Sequence, residues 1–419
     1  MSKINFFHGL INSLFDKPIK RRPFNFFSEK KQPLSSKDII ENVASARGEV
    51  SALEYAELLM QHCEKLNDKD LINFFKLIRD NFDISTSELS EAIDQYKVDS
   101  NSENLITFMK LSEPKRREIF RRCNGISKGT IRLVNLRKRL LGLLKKNPEL
   151  NAVDYDLVYL FKNWFNRGFL ILRPINWETP AHILEKIIAY EAVHEINSWD
   201  ELRLRLAPKD RRCFAFFHPL MPNEPLIFVE VALSNKIPNT IKEIIALDRS
   251  VTLDLDINTA VFYSISNCQE GLSGISFGNF LIKQVAHKLK QENDKLEKFV
   301  TLSPAPGFVR WLNDKSIDEG ENEEILLKQA LIYLTSSDRK DELPNDPVAK
   351  FHLGNGAILE RINLNADLSS KGLNQSKGVM VNYLYNLETL EENHELFFKT
   401  KEVKQSDAIK SLRKKLQIQ

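Results

Sequence analysis

Cysteine is scarce: Cys63, Cys123, Cys213 and Cys268 are scattered through 419 residues, with no Cys-x-x-Cys pair and no histidine at metal-ligand spacing. This excludes a disulfide framework and argues against a zinc site, and it reads as reduced thiols in a reducing compartment. No apolar run approaches the roughly 18 residues that would span a bilayer. Excess charge is also missing. Lys+Arg number 60 against 57 Asp+Glu, a net +3, so composition alone points to no nucleic-acid partner. No Gly-Lys-Ser/Thr closes a phosphate loop, and Ser303, in Leu-Ser-Pro-Ala-Pro-Gly, lacks the Gly-x-Ser-x-Gly nucleophile elbow, so neither a Walker nucleotide site nor a hydrolase triad at that serine is supported. Proline is absent from Lys37 through Ser112 and glycine nearly so, which leaves that stretch without a helix breaker.

What is present is a globular composition, 42% hydrophobic and 28% charged, long enough for two domains. Residues 1 to about 40 form an aromatic, basic arm punctuated by Pro18, Pro23 and Pro33. It has neither the continuous apolar core nor the cleavage site of a secretory signal, and Asp16 and Glu29 count against an organelle presequence. Residues 41–172 carry helical periodicity, as in Leu71, Phe74, Phe75, Ile78 and Phe82, and predict an all-helical domain of five to eight helices. Ser85 with Glu88 fits a capping box. A helix near Thr130 bears Arg132, Arg137, Lys138, Arg139, Lys145 and Lys146. With no aromatic interleaving, that face reads as solvated or paired with acidic groups, not as an RNA surface.

Character changes at Arg173. Residues 173–419 alternate strand-like runs (213–217, 225–233, 260–266 and about 378–386) with helical ones, which predicts an α+β domain with a mixed sheet. Prolines 219, 222 and 225 should break any element between the first two strands.

The stretch Thr259–Phe308 reads as strand, glycine-bearing loop, amphipathic helix, second strand and a Ser-Pro-Ala-Pro-Gly turn. Gly271, Gly274 and Gly278 permit close backbone approach, and loop amides at a helix N-terminus favour a pyrophosphate. The glycine spacing is not that of a dinucleotide fold, and no parallel strand–helix–strand unit is expected around it. Ser303 follows at the end of the second strand. Among eight histidines, His352 precedes a Gly-Asn-Gly turn, where flexible backbone would suit a general acid, and His218 is placed to cap the proline-rich turn.

Five blocks become specific together: HPLMPNEPLIFVEVAL, FYSISNCQEGLSGISFGNFLIK, TLSPAPGFVRWL, NDPVAKFHLGNGAILERIN and GVMVNYLY. In this order they resemble the malonyl-CoA decarboxylase family. The resemblance is strong from Asn163 to Leu387 and thinner through the helical part. It implies a helical oligomerisation domain, a homo-oligomer (dimer or tetramer), and a catalytic domain of the GCN5-related N-acetyltransferase fold. It implies coenzyme A bound by Ser273, Gly274, Ile275, Ser276, Phe277, Gly278 and Asn279, and catalysis by Ser303 and His352 with Tyr385. Ser276 departs from the acidic residue common in relatives. The implied reaction turns malonyl-CoA into acetyl-CoA and CO2 with no metal or organic cofactor, because the thioester is its own electron sink. The resemblance further implies a cytoplasmic enzyme with no membrane or nucleic-acid partner. A CoA-dependent acyltransferase and a non-catalytic malonyl-CoA binder are the competing readings on the same fold.

Overall fold

The computed structural model describes residues 35–418 apart from 47, 250, 252–256, 276–277, 318–321 and 339–341, and the side chains of 278–280. The N-terminal arm before Ser35 lies outside the described residues. From there helices follow one another: α1 (Ser36–Ser45), α2 (Glu49–Lys65), α3 (Asp68–Asn81), α4 (Thr86–Val98), α5 (Ser102–Leu111), α6 (Lys115–Asn124), α7 (Gly129–Leu144) and α8 (Asn151–Trp164). α3 shows the logic. Asn67 caps it by accepting from the Asp70 N–H, and Leu71, Phe74, Phe75 and Ile78 fall on one buried stripe. At the bundle's centre, Asp156 on α8 receives Arg116 and Arg117 from α6, so a buried acid is matched by two cations. The basic face of α7 turns out to be paired within the chain. Arg132 meets Glu57 and Glu64, Arg137 meets Asp154, and Arg139 donates to the carbonyls of Cys63 and Leu66.

After α8 comes a mixed α+β domain: β1 (Ile171–Ile175), α9 (Ala181–Tyr190), α10 (Trp199–Leu206), β2 (Arg211–His218), β3 (Met221–Ser234), α11 (Lys242–Ile245), β4 (Thr259–Asn267), α12 (Gly278–Glu292), β5 (Lys298–Thr301), β6 (Ser303–Pro304), α13 (Phe308–Asp314), α14 (Glu323–Thr335), α15 (Pro347–Gly354), β7 (Ile358–Asn363), α16 (Ser370–Ser376), β8 (Met380–Leu384), α17 (Leu390–Thr400) and α18 (Asp407–Lys415). The strands form one sheet in the order β1-β2-β3-β4-β5-β8-β6, with β7 also pairing β8. Only β4 and β5 run parallel among the described strands.

That parallel pair corrects one expectation: β4, α12 and β5 do form a parallel strand–helix–strand unit around the glycine loop. A second correction concerns the prolines. β3 runs on through Pro222 and Pro225, and only Pro219 sits in a turn. The register against β2 shifts on both sides of Phe217, where Pro225 is its partner, so residues without an N–H fall where the ladder is already irregular.

Side chains alternate strictly on β2. Cys213, Ala215 and Phe217 pack under α9 and α10, while Phe214 and Phe216 join the larger core shared with the helical region. On β4 this alternation is reset. Glu230 of β3 pairs with Ser264, and Val231 pairs with Phe262, which leaves Tyr263 as an extra, bulged residue. β5 pairs with β4 only from Thr259 to Phe262. Past the bulge the two parallel strands part, β4 continuing along β3 and the other chain leading through Ser303 to β8.

Candidate active site

Ser303 stands in that opening, 7% exposed, on the face of the sheet that carries the larger core. His352 comes to it from the last turn of α15. Asp346 caps this helix by accepting from the N–H groups of Val348 and Ala349, with Pro347 as its first residue. Tyr333 donates to the same carboxylate at 2.9 Å, so the helix start is fixed from a second element. Its end is fixed as well. Gly356 takes φ +87°, and a Cβ there would lie 2.0 Å from the carbonyl oxygen of Leu390. His352 is therefore held rigidly, 2% exposed, and not beside mobile backbone as its Gly-Asn-Gly sequence suggests.

Ser303 Oγ lies 3.0 Å from His352 Nε2, and His352 Nδ1 lies 2.8 Å from the Tyr385 hydroxyl. The three residues expected to act together thus form one hydrogen-bonded line. Its direction follows from Thr301. Ser303 donates its only proton to Thr301 Oγ1 at 3.0 Å, so toward the imidazole it accepts. The network therefore assigns the ring proton to Nε2 and leaves Nδ1 to accept from Tyr385. Thr301 is fixed in turn by the Tyr383 N–H at 3.2 Å. The Tyr383 ring stacks on the imidazole, centroids 4.6 Å apart and planes 25° from parallel.

Among the described residues, no cation or carboxylate is hydrogen-bonded to this line. Burial alone pushes the His352 imidazole down to about 3, so it is neutral at any physiological pH. Burial likewise raises the Tyr385 phenol. What the arrangement offers a ligand is a donor at Nε2, a hydroxyl beside it and a buried phenol behind it.

The loop expected to hold coenzyme A is anchored by the helical region. Arg137, on α7 and already paired with Asp154, donates to the carbonyls of Gly271 and Ser273 at 2.7 and 2.8 Å. Lys138 pairs with Glu270 at 2.8 Å. The backbones are so close that a Cβ on Gly271 would sit 1.9 Å from the Val134 carbonyl oxygen. Beyond this clamp Ser273 and Gly274 are exposed, and Ile275 turns into the core. Gly274 takes φ +79° with open space around it, and α12 starts at Gly278. Its first-turn amides face the loop end, as anion binding requires. Ser276 and Phe277 lie outside the described residues, as does the Asn279 side chain.

Sequence reasoning missed Thr301 and Asn355. Thr301 stands two residues before Ser303, on the same side of an extended segment, and that spacing was a legible signal. Asn355 stands three residues after His352, one helical turn on. Its buried side chain lies against the Tyr385 hydroxyl, where it favours the phenolate slightly against the effect of burial. His218 does cap its turn, Nδ1 accepting from the Leu220 N–H at 3.2 Å, and lies far along the sheet from Ser303 in a separate aromatic cluster with Phe165 and Phe169.

Comparison with known proteins agrees across the chain. The family described as malonyl-CoA decarboxylase C-terminal domain matches residues 168–327 and 314–419, and the corresponding N-terminal domain family matches residues 82–165. The crystal structure of malonyl-CoA decarboxylase from Rhodopseudomonas palustris superposes with a TM-score of 0.85 at 42% identity, covering 90% of this chain and 100% of that one. The enzyme from Agrobacterium vitis gives 0.85 at 45% identity, covering 90% and 99%. The mitochondrial malonyl-CoA decarboxylase of Rattus norvegicus is 35% identical over 351 residues, 71% of each chain. With both halves matched and the fold shared over nine-tenths of its length, the chain belongs to the malonyl-CoA decarboxylase family, a family of carboxy-lyases.

Proposed function

We propose that this protein decarboxylates malonyl-CoA to acetyl-CoA and CO2, using Ser303 and His352 on a substrate anchored by residues 273–279. The observation that carries this reading is the neutral line Ser303–His352–Tyr385, buried where β4 and β5 part. Loss of CO2 sends the electrons of the breaking C–C bond into the thioester, forming an enolate. Backbone N–H groups stabilise the developing oxyanion, and Ser303, whose oxygen accepts from His352 Nε2–H, holds the imidazole in place beside the substrate. The Nε2 proton of His352 then goes to the new carbanionic carbon, giving the methyl group of acetyl-CoA. A neutral site suits this chemistry. A fixed cation beside the carboxylate would stabilise the ground state more than the CO2 being formed.

The substrate supplies its own electron sink, so the reaction as written calls on no metal or organic cofactor. The loop amides and the α12 N-terminus would take the pyrophosphate, with Arg137 holding the loop in shape from behind. The same proposal includes a homo-oligomeric working form, dimer or tetramer, located in the cytoplasm. Light scattering on the purified protein tests the first, and fractionation of the source cells the second.

The decisive experiment incubates purified protein with malonyl-CoA, with no added metal or cofactor, and follows acetyl-CoA. Turnover is expected, and its loss is expected in both Ser303→Ala and His352→Ala. Thermal stabilisation by malonyl-CoA with no product would make the protein a binder. Acyl transfer to an amine with malonyl-CoA left intact would make it a transferase.

A further inference from the structure

Resting on the decarboxylase reading, we infer that Thr301 is the positioning residue that makes His352 an acid toward the substrate: by drawing the Ser303 proton to itself, it leaves the ring proton on Nε2. A neutral imidazole holds one proton on either nitrogen, and the partners of the two nitrogens decide which. Carbon protonation needs the proton at Nε2. A site that deprotonates an amine for acyl transfer needs the lone pair there instead. The same Ser–His pair could serve either reaction, and the direction of one hydroxyl proton separates them.

The contact at Nδ1 does not make that choice. Tyr385 stands 2.8 Å from Nδ1, and a phenol either donates to a bare nitrogen or accepts from a protonated one. Ser303, 3.0 Å from Nε2, is as versatile in itself. Thr301 removes that freedom. Ser303 donates to Thr301 Oγ1 at 3.0 Å, and a serine has no second proton for the imidazole. A bare Nε2 would then set its lone pair against those of the Ser303 oxygen, so the ring proton belongs between them.

Thr301 is held in the accepting role. The Tyr383 N–H reaches the same Oγ1 at 3.2 Å, so two donors occupy its two lone pairs and its own proton is directed away from Ser303. The backbone around it is fixed from both neighbouring strands. The Thr301 carbonyl accepts from Asn382 Nδ2 of β8 at 2.8 Å, and the Leu302 N–H donates to the Phe262 carbonyl of β4 at 3.0 Å. Thr301 is wholly buried there. Tyr383 closes the arrangement, with its amide on Thr301 and its ring stacked on the imidazole, centroids 4.6 Å apart. One residue of β8 therefore sets both the hydroxyl that orders the proton and the plane of the ring that carries it.

The tautomer can be read without substrate. In 15N NMR of the wild-type protein, with the His352 ring signals assigned by their loss in His352→Gln, the proton should sit on Nε2 at neutral pH. A proton on Nδ1 overturns the proposal. Thr301→Val keeps the shape and removes the hydroxyl. The acceptor left to Ser303 is then His352 Nε2, so the ring proton should move to Nδ1. With it kcat should fall roughly a hundredfold, at the low end of what general acid–base delivery supplies, with KM for malonyl-CoA little changed. Thr301→Ser returns a hydroxyl to the same place and should restore both the Nε2 proton and most of kcat. A Thr301→Val protein with its proton still on Nε2 would mark Thr301 as merely structural and overturn the role, as would a moved proton with kcat unchanged. Should Thr301→Val fail to fold, the wild-type spectrum still decides. The underlying reading fails separately, if the wild-type protein forms no acetyl-CoA from malonyl-CoA.

Discussion

Beneath α9 and α10, Glu230 of β3 is fully buried and paired with Arg205 at 2.9 Å, and beside it Glu191 accepts from Ser264 at 2.7 and 2.9 Å. Along the same face Asp210 is shared by Arg211 and Arg249. On the opposite face, at the same level of the sheet, the buried polar groups of the site are a threonine, a serine, an imidazole and a phenol, with no ion among them. One face buries ion pairs; on the other, the hydrogen-bonded line of the site holds no ion among the described residues, and the buried Asp346 nearby is spent on capping α15. Burial and the nearby Glu191 push Glu230 up to about 7, against the pull of Arg205, so even a paired acid is held at a cost there. A site built that way would carry its own fixed field. Under the proposed reaction, the neutral face would leave the substrate's carboxylate as the charge that matters.

This contrast can be broken in four ways. The largest effect is expected at the neutral face. His352→Ala and Ser303→Ala should each lower kcat by about 10²–10⁴ with midpoints of unfolding little changed, measured by acetyl-CoA formation and urea titration. On the charged face the result should invert. Arg205→Met strands Glu230 and should destabilise by about 3–5 kcal/mol at pH 8, while the protein that remains folded keeps its kcat. Equal activity losses from both substitutions would mean that the two faces are not separate in function.

The third test is pH. His352 is held at about 3 in the folded protein against an ordinary 6.5, so the unfolded chain takes up that proton first. Its contribution to stability is complete above about pH 6.5 and declines toward pH 3, by about 1.4 kcal/mol per pH unit. His194, lowered by burial to about 4, adds a similar slope. Comparison with His352→Gln isolates the first, and wild-type stability should fall faster than the variant's between pH 6.5 and 4.5. Parallel curves would show that the imidazole is not kept neutral. The smallest effect belongs to the clamp. Gly271→Ala must push α7 and the loop apart and should cost about 1–3 kcal/mol, with KM for malonyl-CoA raised more than kcat is lowered, read from steady-state kinetics beside urea melts.

Much of this was legible in sequence, for identifiable reasons. The helical stripes and the order strand, loop, helix, strand, serine are local patterns, and local patterns survive folding. The approach of His352 and Tyr385 to Ser303 spans up to 82 positions and came from the family resemblance, since no spacing rule joins residues on a helix, a strand edge and a turn. The parallel pairing of β4 and β5 was missed because pairing is a tertiary choice, and the prolines of β3 misled because a bulge tolerates them. Glu230 was visible as a lone acid inside Pro-Leu-Ile-Phe-Val-Glu-Val-Ala-Leu, a break in an apolar run that demanded a buried partner. Arg137 was seen as one of a row of surface cations. That it grips carbonyl oxygens of the loop could not be read from charge, because a carbonyl has no side chain to mark it.

Gly271 ties two stretches of backbone so closely that neither can drift without the other. The two halves of this protein are therefore not interchangeable parts. A carboxy-terminal piece beginning at β1 would carry Ser303, His352 and Tyr385 but leave the loop at Gly271–Ser273 unsupported, and a helical region borrowed from a distant relative would have to match that loop closely. Inheritance has to keep the halves together, even though only one of them holds the proposed reacting groups.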